Sequence, residues 1–301
     1  MGYRNDSPKQ ANWYLGGMSN DMAPGAGNMF FVNGMDGVGD NANTGLTPTQ
    51  PLLTITYALS LCANDHDDYI IVLDYWQPTG ETWPINVNKS KVHIIGVPGA
   101  GAQWPTVVPT GATAALQASA GYIEIAHLAL QAGATSGCIE STITGIWGIL
   151  IRDCWFGVTG AGQDGFRGVA PFDLPYLTIT GCRFGQGLTR DGVRLDHNAT
   201  RGQIGLPNGA GNFFDRVGGV GVNLVGNCAE AGTFNNVFAV AANTAGGAVT
   251  LSAGCVDCIT GGNTASFGDT TMVANPYTDG AAAGVNQWLL NYQGITAVMP
   301  A

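Results

Sequence analysis

Charge is scarce in this chain, and positive charge is scarcest. Only 11% of its 301 residues are charged, 11 Lys and Arg stand against 21 Asp and Glu, and the formal net charge is −10. A surface so poor in cations cannot neutralise a run of phosphates, which argues against nucleic-acid binding through the general surface. Long apolar runs are missing too. Apolar residues make up 45% of the chain but come in short stretches, none near the roughly 18 uninterrupted residues of a membrane span. The opening Met1-Gly2-Tyr3-Arg4-Asn5-Asp6 lacks the apolar core of a secretory signal. It also misses the myristoylation pattern, because position 6 is Asp and Ser7 falls one residue late.

Metal-ligating and redox patterns are equally thin. The seven cysteines are an odd number, and two of them, Cys154 and Cys182, occupy the same place in a repeated motif, so they read as reduced core residues of a protein folded in a cytosol. Cys255-Val256-Asp257-Cys258 is the single CxxC, and the histidines at 66, 93, 127 and 197 are scattered far from it. A zinc site would need a second pair or nearby histidines, and a thioredoxin-type pair would open a helix, whereas this context is Gly-rich strand. The loop Asp36-Gly37-Val38-Gly39-Asp40-Asn41-Ala42-Asn43-Thr44-Gly45 alternates oxygen ligands but lacks the EF-hand spacing and its closing Glu, so it reads as a turn leading into a helix. Neither metal nor cofactor is expected.

What the chain does have is a recurring signature: a small or polar residue, then Cys or Asn, any residue, and a bulky apolar one. It stands as Asp153-Cys154-Trp155-Phe156, Gly181-Cys182-Arg183-Phe184, Gly211-Asn212-Phe213-Phe214 and Asn235-Asn236-Val237-Phe238, with degenerate copies at His127-Leu128-Ala129-Leu130 and Gly262-Asn263-Thr264-Ala265. Its second position falls at 128, 154, 182, 212, 236 and 263, in steps of 26, 28, 30, 24 and 27. Such a period marks one supersecondary unit stacked on itself. Upstream of each copy lie period-two runs such as Tyr122-Ile123-Glu124-Ile125 and Tyr176-Leu177-Thr178-Ile179, which are strands rather than helices. The 46 glycines supply the corners of tight coils. The fold predicted is all-β, a parallel β-helix of about seven coils forming a rod on the order of 35 Å long. Cys154, Cys182, Asn212, Asn236 and Asn263 then point inward as a ladder, the amides satisfying one another.

Four segments follow. Residues 1–28 are a Gly-, Met-, Asn- and Pro-rich arm that needs a partner surface to become ordered. Residues 29–68 hold a first strand at Met29-Phe30-Phe31-Val32, the loop, and a capping helix over 51–63 whose apolar face is Leu52, Ile55, Leu59 and Cys62. Coils occupy 69–268. Residues 269–301 form a C-terminal cap or contact segment, with helical spacing at Val285, Trp288, Leu289 and Tyr292.

The stretches Phe31-Val32-Asn33-Gly34, Asp40 to Pro48, Pro51-Leu52-Leu53-Thr54-Ile55, Asp68 to Leu73 and Val92-His93-Ile94-Ile95-Gly96 resemble the opening module of pectate-lyase-like right-handed β-helix proteins, those of bacteriophage virions above all. The resemblance covers roughly residues 30–130. It implies a right-handed β-helix, commonly a homotrimer, carried on a virion as tailspike, fibre component or head decoration.

Candidate chemistry concentrates in residues 152–216, which hold seven of the eight arginines and six aspartates. Asp191, Arg194 and Asp196 form the tightest group, with Arg194 and Asp196 on one face if 192–195 is a strand. This group is the catalytic candidate: it suits an acidic glycan, or equally an ion-pair ladder on a solvated face or between subunits. Glu occurs only four times, and no aromatic-lined carboxylate groove is recognisable. Trp76, Trp83 and Trp104 read as cover for the capping helix or as sugar-stacking rings. His93 reads as facing out or towards a neighbouring subunit, and His127 as a turn residue. The favoured expectation is a virion structural protein, assembled in the host cytoplasm and attached to capsid or tail through residues 1–28; the alternative is a tailspike-type enzyme or lectin acting on host polysaccharide.

Overall fold

The computed structural model describes residues 27–35, 37–98, 104–142, 146–157, 163–169, 173–185, 187–196, 199–240, 247–267, 277–280, 286–289 and 292–295. Strands of two to seven residues wind round three parallel sheets, of ten, eight and eight strands. One coil shows the plan: Leu150–Arg152 lies in the first sheet, Trp155–Phe156 in the second and Phe166–Gly168 in the third. Each pairs in parallel and without slip with the strand a coil above it, at Thr178–Thr180, Arg183–Phe184 and Val193–Leu195. The chain is therefore a parallel β-solenoid.

Sharp corners make this possible. Two columns of left-handed residues frame the first sheet. Lys91, Tyr122, Gly148, Tyr176, Arg201, Glu230 and Asp257 precede its strands, and His127, Asp153, Gly181, Asn235 and Gly262 follow them, all with φ near +50 to +70°. The second column is the first residue of five of the six signature copies, which explains its bias toward Gly, Asp and Asn; in the Asn212 copy the left-handed corner falls earlier, at Gly205 with φ 79°.

Stacking fills the interior with like on like. Ile70, Ile94, Ile125, Ile151, Ile179 and Ile204 succeed one another in register on the first sheet. On the second sheet Phe156, Phe184, Phe214 and Phe238 stack with centroids 4.7, 4.5 and 4.7 Å apart and planes within 14°, so the coil repeat is also the contact distance of aromatic faces. Room for these rings depends on glycines of the third-sheet corner: a Cβ at Gly165 or Gly192 would lie 2.5 Å from Phe184 or Phe214.

The inward ladder forms as expected. Cys182 N–H donates to Asn212 Oδ1 at 2.9 Å, Asn212 N–H to Asn236 Oδ1 at 2.9 Å, and Asn236 N–H to Asn263 Oδ1 at 3.0 Å. The Nδ2 groups of Asn212 and Asn236 donate both to the next asparagine and to the carbonyls of Ile179 and Ile204. All seven cysteines are buried free thiols, and burial pushes Cys62 and Cys138 up to about 12.

Two expectations need correction. The helix runs over Ile55–Leu61, not 51–63, because Thr54 takes the N-cap and accepts from Tyr57 N–H. Pro51 and Leu52 are instead extended, Leu52 bridging Val32, and the Glu81 carboxylate accepts from the free N–H groups of Ile55 and Thr56 at 2.8 and 3.2 Å. Ile55, Ala58 and Leu59 are buried in the core. Trp288, Leu289 and Tyr292 do not belong to a helix: Gln287–Leu289 and Tyr292–Ile295 are strands that pair with Ile259–Gly261 and Thr264–Phe267 and so continue the sheets. Two short strands close together in the chain imitate helical spacing. Val285 and most of the arm lie outside the described residues.

Candidate functional site

The third sheet brings Asp191, Arg194 and Asp196 together. Val193 and Leu195 point inward and Arg194 outward, between Arg167 below and Asn223 above. Arg194 donates to Asp191 at 3.1 Å and to Asp196 at 2.6 Å, and Arg167 reaches the other Asp196 oxygen at 3.1 Å. Asp191 is buried at the preceding corner. Its Oδ1 accepts from Val220 N–H at 2.8 Å, and its Oδ2 also accepts from Asn223 at 3.0 Å. All four oxygens of the two carboxylates are thus engaged within the chain, and such a carboxylate must break bonds before it can serve as acid, base or ligand.

One coil below, Asp164 repeats the Asp191 position. It is buried, accepts from Asp191 N–H at 3.1 Å, and pairs with Arg190 through Nε at 2.8 Å. The hydrogen bond to Asp164 holds the Arg190 guanidinium above its ordinary range. Neither Asp164 nor Arg167 was singled out from the sequence, although a signal exists: Asp164-Gly165-Phe166-Arg167 and Asp191-Gly192-Val193-Arg194 are a second repeat, 27 residues apart.

A second polar network, absent from the sequence reading, lies outside the first sheet. His93 stacks on Tyr69 with centroids 4.4 Å apart and bonds Glu124 Oε2 through Nδ1 at 2.7 Å. Arg152 donates to Glu124 Oε1 at 2.5 Å, to His127 Nε2 at 3.0 Å and to Asp153 at 3.3 Å. Burial by itself pushes the Glu124 carboxyl up, but the His93 hydrogen bond and the Arg152 charge outweigh it and hold it below its ordinary range. Burial lowers the His127 imidazole, Asp153 opposes, and Arg152 lowers it further, for a net fall. His93 does face out, and His127 does sit in a left-handed turn at φ 54°. The pairing was illegible because Arg152 stands two residues along from the position in register with Glu124.

Among the tryptophans, Trp76 is exposed, Trp83 packs on the core, and Trp104 lies edge-on to His127 at 5.6 Å. On the second sheet, Arg183 is held between the Trp155 and Phe213 rings, 5.1 and 5.7 Å from their centroids. The loop 37–45 is a braced turn: Asn41 Oδ1 accepts from Leu53 and Thr54 N–H, and Asn43 donates to Pro51 O. Among the described residues no three His, Cys, Asp or Glu are grouped to hold a metal ion, and no helix is long and apolar enough to cross a membrane.

The class defined by this winding is the parallel β-solenoid. No protein family matches the chain, and no curated protein matches it in sequence. Among solved structures it is similar to the GH136 lacto-N-biosidase from Eubacterium ramulus, in selenomethionine and native crystals. These align at 11% and 12% identity with TM-scores of 0.42 and 0.40, over 89% of this chain and 67% and 68% of those chains. It is also similar to a pectate lyase from Bacillus sp. N165 in complex with trigalacturonate, at 13% identity and a TM-score of 0.38, over 94% of this chain and 86% of that one.

Proposed function

We propose that this chain is a structural protein of a bacteriophage particle: a right-handed β-solenoid, associated as a homotrimer, displayed on capsid or tail and fastened there by residues 1–28. The observation that carries a structural rather than catalytic role is the saturation of the Asp191, Arg194 and Asp196 cluster, whose carboxylate oxygens all accept bonds from within the chain. The virion setting rests on the resemblance of residues 30–130 to the opening modules of phage β-helix proteins. Buried, continuous ladders suit a stable surface element, since each coil protects the backbone of its neighbours.

Deleting residues 1–28 should leave a folded trimer, by sedimentation and circular dichroism, that no longer co-purifies with particles. Unchanged attachment would reject the anchoring role. The competing reading, a tailspike-type enzyme or lectin, predicts new reducing ends or unsaturated uronates when host-surface polysaccharides are incubated with the protein. Such activity, lost in Asp191→Asn or Asp196→Asn, would overturn the structural reading.

A further inference from the structure

Three thiols meet at one corner of the solenoid. Cys255 and Cys258 are the CxxC pair, and Cys228 joins them from the preceding coil. Parallel bridges link Thr200 to Ala229 and Ala229 to Val256, so Ala199, Cys228 and Cys255 stand in register before the first sheet. Coils repeat about every 4.8 Å, which puts the Cα atoms of Cys228 and Cys255 inside the roughly 4.4–6.8 Å window of a disulfide. Val256 N–H fixes that spacing by donating to Cys228 O at 2.9 Å. Cys258 closes the corner three residues on, its Sγ 3.5 Å from the same carbonyl. Both outer thiols hydrogen-bond to Cys255, although the three are not grouped to hold a metal ion. The arrangement suits a bond made and broken at one central sulfur.

Hydrogen bonds from the Cys228 and Cys258 thiols outweigh burial and hold Cys255 well below its ordinary range, while the same contacts push Cys228 and Cys258 up. Cys255 is therefore the thiolate of the three, and the thiolate is the reactive form. The other stacked pair, Cys154 and Cys182, has no third thiol beside it, and burial drives Cys182 up. The cluster also lies only one residue deep. All three thiols are buried, yet Val256 and Asp257 between Cys255 and Cys258 are exposed, as is Asn227 beside Cys228. A molecule little larger than water needs only a local opening of this corner to reach Cys255.

We propose that this corner is a peroxide-reactive site in which Cys255 is the nucleophile and Cys228 closes a disulfide on it. The Cys255 thiolate attacks one oxygen of hydrogen peroxide, the O–O bond breaks, and hydroxide leaves to become water with the proton that Cys255 gave up. Cys255 is then a sulfenic acid. The Cys228 sulfur attacks the Cys255 sulfur, the S–O bond breaks, and a second water carries off the hydroxyl and the Cys228 proton. Two thiols lose two electrons, and one peroxide is reduced to two waters. The new bond staples two coils 27 residues apart in the chain. A solenoid that folds with its thiols reduced is locked when it meets peroxide, wherever it is carried.

The test is mass mapping of the whole protein after hydrogen peroxide treatment, with the remaining thiols alkylated in denaturant. Cleavage after Glu230 and before Asp257 leaves Cys228, Cys255 and Cys258 on three different fragments. The expected product joins the Cys228 and Cys255 fragments, is lighter by two hydrogens and parts on reduction, while Cys154, Cys182 and Cys258 stay alkylated. Oxidation should raise the melting temperature by about 5–10 °C, from closing a loop of that length. Cys255→Ala should abolish the link, and Cys228→Ala should leave Cys255 as a sulfenic acid that dimedone captures. Alanine already fills this register position at Ala199, so both variants should fold. Cys258→Ala should still link, with the reaction's onset moved to higher pH. Full alkylation of all three fragments, at a dose that already oxidises the exposed Met35 to its sulfoxide, would overturn the inference. So would a link from Cys255 to Cys258 in place of Cys228.

Discussion

Replacing Asn236 by Leu tests the interior most directly. The amide is fully buried and makes four hydrogen bonds: Oδ1 accepts from Asn212 N–H and Nδ2, and its own Nδ2 donates to Ile204 O and Asn263 Oδ1, all at 2.9 Å. Leucine has nearly the same volume, so no large cavity results. It leaves the Asn212 backbone N–H without its acceptor, at about 1–3 kcal/mol, and removes three further bonds of about 0.5–1.5 kcal/mol each. Burying the leucine side chain returns about 1–2 kcal/mol. The net loss should be centred near about 3.5 kcal/mol, within about 0.5–6.5 kcal/mol, read from urea unfolding with coincident refolding curves. Asn236→Asp should be worse, because it aims a charged oxygen at Ile204 O and Asn263 Oδ1 in a dry interior. A loss below about 0.5 kcal/mol for Asn236→Leu would refute the claim that the ladder is a closed hydrogen-bond chain.

Phe184→Ala removes the middle of the aromatic stack and should cost about 3–5 kcal/mol in the same assay. Arg194→Met strips the shared guanidinium from the buried Asp191 and from Asp196; with Arg194 still a quarter exposed, the expected cost is about 2–3 kcal/mol, and a neutral result would mean the cluster is dispensable to folding. Glu124 has a folded pKa below its ordinary 4.5, so its stabilising contribution is present above about pH 4.5 and is lost as pH falls through the folded value. The stability gap between wild type and Glu124→Gln should therefore close on acidification. His127 is likewise depressed from 6.5, so the neutral ring favours the folded state, and stability should begin to fall below about pH 6.5. His127→Asn, which suits the left-handed turn, should remove that part of the pH dependence.

The signature at 128, 154, 182, 212, 236 and 263 was legible because a stacked fold repeats the same environment in every coil, so the same residue types recur. Its inward register followed from the apolar residue two positions on, and the hydrogen bonds of Asn212 and Asn236 agree with it. The helix start was misplaced because Pro51 looks like a first helical residue, while Leu52 has a better partner in Val32 across the chain. The Arg and Asp cluster was found, but not the buried Asp164 beneath it, because the Asp-Gly-x-Arg repeat has only two copies.

By itself the sequence determined the winding: a period near 27 residues, strands between glycine-rich corners, and a column of Cys and Asn that must face inward. Those follow from local spacing, which is the same in every coil. Only the tertiary structure decided which charges meet. Arg152 reaches Glu124 across a two-residue offset, Arg194 bridges two carboxylates, and Cys228 joins the CxxC pair from the preceding coil. Stacking places residues some 25 positions apart within 5 Å or so, and which way their side chains lean is set by neighbours that chain order does not reveal.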